Sequence, residues 1–252
     1  MNKYKNCTMK TNQESTSINV EAIDAVLNSP ICSEEDKLLI KKLYKVKPEL
    51  GGLSNDPVGQ RYYPNEPWIQ THTGRRFNPT KPVVDSINIE DIAHALSNQC
   101  RFSGHCLQFY SVSQHSILTS YLCDKEHRLD ALLHDASEAY LVDLPTPLKN
   151  SKGFEQYKVF EKQLELAIAE KFGTAKEMTV DVKIADKIML ATEARDLLSP
   201  RPDWKTEYEP LPFTIKVMSP DEAKKAFLKR FEELVSLTQN NGFESYDDDN
   251  EE

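Results

Sequence analysis

From residue 88 onward, apolar residues recur three and four positions apart, the spacing with which one face of an α-helix packs against a core. Polar residues fill the positions between them. Serine or asparagine stands just before several of these segments, as helix N-caps do. The pattern predicts an all-α domain, because nothing in this part of the chain alternates with the period of a strand. Helices are expected at residues 89–99, 112–123, about 126–141, 154–173, 180–198 and about 220–239.

The N-terminal part of the chain has a different character. Serine caps and short apolar repeats predict two helices at about residues 18–28 and 34–46, followed by a linker rich in glycine and proline. Further on, "WIQTHTGRRFNP" predicts a small β-hairpin that turns at Thr73 and Gly74. The expected organisation is a disordered N-terminus (1–16), an N-terminal helical pair and linker (17–67), a helical domain with a small hairpin (68–240) and an acidic disordered tail (241–252).

The composition of the chain disfavours two classes of binding partner, nucleic acids and membranes. The formal charge is −9, and six of the acidic residues lie in the last nine positions, "ESYDDDNEE". The rest of the chain is therefore only mildly acidic, which disfavours broad electrostatic binding to nucleic acid. The five cysteines show no CxxC spacing, and neither a signal peptide nor an apolar run of membrane-spanning length is found. These features predict a protein of a reducing cytoplasm that binds no membrane.

Three of the predicted helices carry ionisable residues where apolar ones are expected. His115 shares a face with the apolar residues three and seven positions away, and Asp186 does the same on its own helix. On a third helix, His134, Asp135 and Glu138 lie within five positions, with His134 and Glu138 one turn apart. A buried carboxylate requires a positive partner. The pattern therefore predicts either a divalent cation site or a buried hydrogen-bonded His–Asp pair, and leaves both open.

Three ordered blocks of sequence carry a resemblance to a known family: "RFSGHCLQFYSVSQHS", "HDASEAYLVDLPTPLK" and "VKIADKIMLATEARDLL". Together they resemble the HD-domain phosphohydrolases, and more closely the bacterial 5'-deoxynucleotidases and their phage-encoded relatives. The resemblance covers about residues 68–200 and implies an HD-domain helical bundle. It also implies one divalent transition metal, which would be Mn, Co, Fe, Ni or Zn. The implied metal ligands are His115, His134, Asp135 and Asp186.

The same resemblance implies roles for residues around the metal. Glu138 matches the acid–base glutamate that orients or deprotonates the attacking water, and Asp143 matches a second aspartate that could protonate the leaving oxygen or contact the sugar. Without the resemblance, Glu138 would be a solvated helix position and Asp143 a turn residue. Arg101 would bind phosphate through its planar fork of donors. Phe102 stands where the deoxynucleotidases have tryptophan, and could stack on a base. Further candidates for substrate binding are His105, Lys149 and Lys152.

The resemblance implies an enzyme that hydrolyses a phosphate ester of a deoxynucleotide. The "DLPTPLK" block best matches a 5'-deoxynucleotidase, which releases phosphate from a deoxynucleoside monophosphate. An alternative with the same site is a deoxynucleoside triphosphate triphosphohydrolase, including a dATP-specific type, with a basic cradle for the outer phosphates. The candidates for that cradle are Arg75, Arg76, Lys149 and Lys152.

Two other classes of function are weighed against these. Dinuclear phosphodiesterases are set aside because they need further histidines, and no histidine follows His134. A non-catalytic helical module, stapled by a metal and docking through its acidic tail, stays as the hypothesis from a different class. Lys187 and Arg195 are candidates for pairing with residues of the site. The expected partner is a small-molecule deoxynucleotide. The resemblance further implies a homo-oligomer, and a cytoplasmic location, in the host if the chain is phage-encoded.

Overall fold

The computed structural model describes residue 61, residue 63 and residues 65–201 and 203–241. They belong to the second of two compact units into which the chain divides, Asn55–Glu252. This part of the chain is helical with one two-stranded hairpin, which confirms the predicted fold class. The predicted helices near residues 18–28 and 34–46, the polar N-terminus and almost all of the acidic tail lie outside the described residues.

The secondary structure follows the predicted order. In the described residues, short 3-10 turns at Val84–Ser86, Phe102–Gly104 and Lys125–His127 connect several of the elements. No helix in these ranges is both long and apolar enough to cross a membrane. The strands are β1 (Ile69–Gln70) and β2 (Arg76–Phe77), and the helices are α1 (Ile89–Asn98), α2 (Val112–Leu122), α3 (Arg128–Leu133), α4 (Glu138–Leu141), α5 (Thr146–Lys149), α6 (Glu155–Phe172), α7 (Val180–Leu197) and α8 (Pro220–Asn241).

The hairpin turns where the sequence predicted. The strands β1 and β2 are antiparallel, with Ile69 opposite Phe77, and Gly74 occupies the turn at a φ of 80° that suits glycine. Phe77 is fully buried and stacks on Tyr140 of α4, with 4.0 Å between ring centroids. Burial of such a ring contributes about 1.5–3 kcal/mol. This contact attaches the hairpin to the helical core.

The helix caps agree with the predictions except at one residue. Asn88 caps α1 by accepting a hydrogen bond from Glu90 N–H, and Ser111 caps α2 by accepting one from Gln114 N–H. Ser111 and Gln114 have the sequence spacing of a capping box, but the second half of that box does not form. The Gln114 side chain bonds instead to the carbonyl of Lys216 and the N–H of Met218. The extended chain before α8 passes beside α2, and its backbone groups need these partners.

The predicted helix at about 126–141 is wrong in its continuity. Residues 134–137 form a tight turn between α3 and α4, in which Ala136 N–H bonds to Leu133 C=O and Glu138 N–H to Asp135 C=O. These are i to i+3 bonds, one residue shorter than those of an α-helix. His134 keeps helical dihedral angles, with φ −61° and ψ −34°. The hydrophobic spacing is therefore preserved through the turn, and the sequence does not reveal the break.

The helix α2 lies at the centre of the bundle. It packs against α1, α3, α7 and α8. Its polar side chains are buried together with its apolar ones, because Ser113, Ser116, Thr119 and Ser120 donate hydrogen bonds to backbone carbonyls. Small hydroxyl residues satisfied in this way let neighbouring helices approach α2 closely. A residue in the middle of α2 is therefore surrounded by side chains from several helices.

Candidate metal centre

The helices α2, α3 and α7 bring side chains from distant parts of the sequence to one point. His115 lies within α2, His134 directly follows α3, and Asp186 lies in the first half of α7. The His115 side chain is fully buried, whereas 37% of the Asp186 side chain is exposed. The prediction that Asp186 points into the core is thus only partly right, because its carboxylate forms an accessible edge of the cluster.

The distances within this cluster are short. One ligand atom from each of the three residues lies within 4.8 Å of the other two. His115 Nε2 is 3.3 Å from His134 Nε2 and 3.1 Å from Asp186 Oδ1, and His134 Nε2 is 4.0 Å from the same oxygen. Atoms that share an ion at about 2.1 Å are separated by roughly 3.0–3.4 Å at octahedral or tetrahedral angles. The cluster can therefore hold a metal ion.

Asp135 places a second carboxylate beside the two histidines. Its Oδ2 is 3.2 Å from His134 Nε2 and 3.7 Å from His115 Nε2. On its other side, the same oxygen is 3.5 Å from a guanidinium nitrogen of Arg101. The four residues that the resemblance implied as ligands thus lie together. Two imidazole nitrogens with two carboxylate oxygens fit a divalent transition metal better than calcium.

Both histidines are oriented by bonds to their second ring nitrogen. Nδ1 of His134 is 2.7 Å from the carbonyl of Ala131, and Nδ1 of His115 is 2.6 Å from Oε1 of Glu193. Each acceptor requires Nδ1–H on the ring. In a neutral ring the lone pair then lies on Nε2 and can face the centre of the cluster, as in metal sites whose histidines are held by outer partners.

Glu193 is a site residue that the sequence analysis missed. Its side chain is fully buried on α7. Its Oε1 contacts His115, and its Oε2 accepts hydrogen bonds from Arg101 at 3.3 Å (Nε) and 3.2 Å (Nη2). One signal could have found it. Glu193 follows Asp186 by seven positions, which is about two turns of α7 and places both residues on one face.

The charges of the cluster are strongly coupled. Burial alone would raise the pKa of Asp135, but His134 beside it holds that pKa well below its usual range. Burial alone would also raise the pKa of Glu193, but the positive charge of Arg101 has the larger effect, and the pKa of Glu193 is lowered. Burial and Arg101 act to lower the pKa of His115, yet the Glu193 carboxylate and its neighbours raise it to about 9. Buried carboxylates that stay ionised require positive charge, which a bound cation also supplies.

The two proposed catalytic carboxyls behave differently from the ligands. Glu138 is only 8% exposed, and its Oε2 has no hydrogen-bond partner among the described residues. Burial, then Asp135 and Asp143, raise the pKa of Glu138 well above its usual value. Asp143 is half-buried, and burial likewise raises its pKa. An unpartnered buried carboxyl next to a cation site is poised to bind water or a ligand.

Gln99 connects the segment that carries these carboxyls to the rest of the site. Its Nε2 donates to the carbonyl of Glu138 at 2.9 Å, and its Oε1 accepts from Asp143 N–H at 3.3 Å. Its own carbonyl accepts from Val112 N–H at the start of α2. A single amide therefore ties both ends of the 138–143 segment to the two helices α1 and α2.

The residues expected to bind substrate differ in their distance from the cluster. Arg101 contacts the cluster directly, and its guanidinium lies 5.4 Å from the centre of the Phe102 ring. Lys149 pairs with Glu161 at 2.7 Å, and its charge also acts on the Glu138 carboxyl. The remaining two candidates, His105 and Lys152, are exposed and outside the hydrogen-bonded cluster.

Lys187 and Arg195, the two candidates for pairing with residues of the site, form their salt bridges elsewhere. Lys187 forms a salt bridge with Glu207, and Arg195 forms one with Asp196. Arg195 also donates to the carbonyls of residues 211 and 213. Arg195 follows Glu193 by two positions, which places it on the opposite side of α7 from Glu193.

The chain is similar in sequence to two bacterial proteins. No family model matches it. It is 42% identical over 174 residues to Uncharacterized protein YfdR of Escherichia coli (strain K12), covering 68% of this chain and 97% of YfdR. It is 34% identical over 137 residues to Uncharacterized protein RCAP_rcc00048 of Rhodobacter capsulatus, covering 51% of this chain and 69% of the relative. From the extent of the first alignment, the chain belongs to the YfdR family.

Proposed function

We propose that this protein is a metal-dependent phosphohydrolase of the HD type that hydrolyses a phosphate ester of a deoxynucleotide. The proposal rests above all on one observation. The unpartnered carboxyl of Glu138 lies buried within electrostatic range of Asp135, beside a cluster that can hold a cation. A metal staple alone does not need such a carboxyl. The resemblance of the "HDASEAYLVDLPTPLK" block to the 5'-deoxynucleotidases supports the same conclusion.

The metal in this proposal is Mn, Co, Fe, Ni or Zn, held by His115, His134, Asp135 and Asp186. When bound, such an ion lowers the pKa of water and neutralises negative charge on phosphate. The chain's own groups then divide the remaining work. The carboxyl of Glu138 accepts a proton from the attacking water, and its raised pKa makes it a stronger base than an ordinary carboxylate.

Two further side chains act on the substrate in this mechanism. The Arg101 guanidinium, whose Nε and Nη2 are held by Glu193, keeps other N–H donors to bind a phosphate oxygen. Asp143, with its raised pKa, is protonated more readily than an ordinary aspartate and donates that proton to the leaving oxygen. Phe102, next to Arg101, offers a ring on which a base can stack.

A monophosphate substrate is favoured over a triphosphate by the positions of the basic residues. The positive charge of Arg75, in the hairpin turn, interacts electrostatically with the hydroxyl of Tyr140 on α4. The Arg76 guanidinium lies over the Trp68 ring, 4.8 Å from its centre. Among the cradle candidates in the described ranges, Lys149 is the one whose charge acts on Glu138. One lysine with Arg101 suits a single phosphate better than three. The proposed reaction is therefore release of phosphate from a deoxynucleoside monophosphate.

The test is product analysis on the purified full-length protein with Mn²⁺ or Co²⁺ added. Deoxynucleoside mono- and triphosphates are supplied in parallel, and products are separated by ion-exchange chromatography. Phosphate from the monophosphates alone is expected. Intact triphosphate released from a dNTP would replace the nucleotidase by a triphosphohydrolase. With Co²⁺ bound, absence of product from both sets would refute the proposal in favour of a metal-stapled module.

Glu138→Gln separates catalysis from metal binding. The variant should bind Co²⁺ as the wild type does and lose turnover by about 10²–10⁴-fold, the usual contribution of a positioned acid–base group. Glu126→Gln is the matched control, because the Glu126 side chain is 79% exposed and lies outside the cluster. Full turnover in Glu138→Gln would show that another group accepts the proton.

A further inference from the structure

Glu193 occupies an unusual position between two functional groups. Its two oxygens have different partners: Oε1 is 2.6 Å from His115 Nδ1, and Oε2 is 3.2–3.3 Å from two nitrogens of Arg101. None of its side chain is exposed, so no water can substitute for either partner. The same carboxylate therefore sets the orientation of a candidate metal ligand and of the candidate phosphate-binding arginine.

The geometry points to Glu193 as a positioning residue that couples the metal centre to the phosphate-binding arginine. This inference rests on the proposed function for the role of Arg101, whereas its effect on His115 stands on the metal site alone. By accepting Nδ1–H, Glu193 keeps the His115 Nε2 lone pair available as a ligand. By accepting from Arg101, it fixes the guanidinium that also contacts Asp135. Loss of either bond should disturb the other.

Glu193→Gln tests this coupling because an amide offers one acceptor where the carboxylate has two. If the amide oxygen faces His115, the NH2 group confronts the donors of Arg101. If the oxygen faces Arg101, the NH2 group confronts His115 Nδ1, which must then accept, so the ring proton moves to Nε2 and the ligand is lost. An imidazole that binds a metal is neutral, and a bond to a charged guanidinium is stronger than one to a neutral ring, so the second arrangement should dominate. Metal binding should therefore weaken.

The decisive measurement is Co²⁺ affinity, followed by visible d–d absorption, in a double-mutant cycle. Glu193→Gln should bind Co²⁺ about 10–100-fold more weakly than the wild type, the usual effect of removing an outer partner of a ligand. In an Arg101→Met background the amide oxygen is free to face His115. In that background, Glu193→Gln should lower the Co²⁺ affinity by about threefold or less. Glu233→Gln is the control, because the Glu233 side chain on α8 pairs with Arg230. This variant should leave the Co²⁺ affinity unchanged.

Two results would overturn the coupling. An equal loss of Co²⁺ affinity in both backgrounds would mean that Glu193 acts on His115 independently of Arg101. No loss in either background would mean that Glu193 is only a buried charge. These readouts need no turnover, so they are distinguishable from failure of the proposed function. If the variants do not fold, the wild type loaded with Zn²⁺ gives a second test. A bond from His115 Nδ1–H to the Glu193 carboxylate predicts a downfield, slowly exchanging proton in the NMR spectrum, and its absence would overturn the inference.

Discussion

The amide of Gln99 allows a quantitative test of how the chain holds the two carboxyls proposed to act in catalysis, those of Glu138 and Asp143. Gln99→Met keeps an unbranched side chain of similar length but removes the donor and the acceptor. The carbonyl of Glu138 and the N–H of Asp143 then each lose one hydrogen bond, of 2.9 Å and 3.3 Å respectively. The packing around residue 99 should otherwise change little.

The expected cost follows from the two bonds. Each contributes about 0.5–1.5 kcal/mol to stability. The Glu138 carbonyl keeps a second bond, from Val142 N–H at 2.9 Å, and Asp143 is only half-buried, so water can replace part of what it loses. The sum should be about 1–2 kcal/mol, which lowers Tm by roughly 2–8 °C in a domain of this size. Turnover should fall more steeply, by about tenfold or more, because a misplacement near 1 Å can cost about 10²-fold.

Thermal unfolding by circular dichroism and steady-state kinetics measure these two effects. Asn98→Ala is the control, because the Asn98 side chain bonds only within its own helix, to the carbonyl and ring of His94. Co²⁺ affinity should stay at the wild-type value in Gln99→Met, since the histidine ligands keep their partners. Wild-type turnover together with the expected fall in Tm would refute the idea that Gln99 positions the carboxyls.

Two predictions concern stability away from the site. Burial, then His72 stacked beside it, lower the pKa of His94 below 6.5. A group with a lowered folded pKa stabilises the fold above its unfolded pKa, and that contribution is lost as the pH falls through the folded pKa. Lowering the pH from about 7.5 to about 5.5 should therefore reduce the Tm of His94→Gln by less than it reduces the Tm of the wild type, and equal reductions would contradict this. The second prediction concerns Arg230, which is buried and donates to the hydroxyl and the carbonyl of Ser120, joining α8 to α2. Arg230→Met should cost about 2–3 kcal/mol in urea denaturation, against less than about 0.5 for exposed Lys229→Met, and similar costs for both would disprove the role of the bonds.

The candidate ligands could be predicted because each has a local signature. His115 and Asp186 stand on helix faces that are otherwise apolar, and the pair His134–Asp135 stands at the end of another. A face that must pack against a core tolerates a charge only where something compensates it. The helices bearing these residues were predictable from the same periodicity, and so was the hairpin turn at Gly74.

Glu193 and Gln99 could not be identified in the same way. Their importance comes from partners that are far away in the sequence: Glu193 meets His115 across 78 positions, and Gln99 meets Asp143 across 44. Such pairs are created by the approach of helices, and no local pattern encodes that approach. The break at residues 134–137 was hidden for another reason, because the hydrogen bonds change while His134 and Ser137, at its two ends, keep helical φ and ψ.

The positions of backbone strain support the idea that this part of the fold is shaped for a ligand. In the described residues, positive φ at non-glycine residues occurs at Phe102, Ser103 and Val142, with values of 54°, 53° and 70°. Each such residue costs about 1–3 kcal/mol, and a β-branched valine is among the least tolerant. The first two adjoin Arg101, and Val142 directly precedes Asp143. Strain of this size persists only where surrounding bonds enforce it, and at Val142 the Tyr157 hydroxyl supplies one by donating to its carbonyl at 3.0 Å. These strained turns lie beside Arg101 and Asp143, the two side chains proposed to act on the phosphate ester, and this placement supports the proposal that the segment is shaped to bind a ligand.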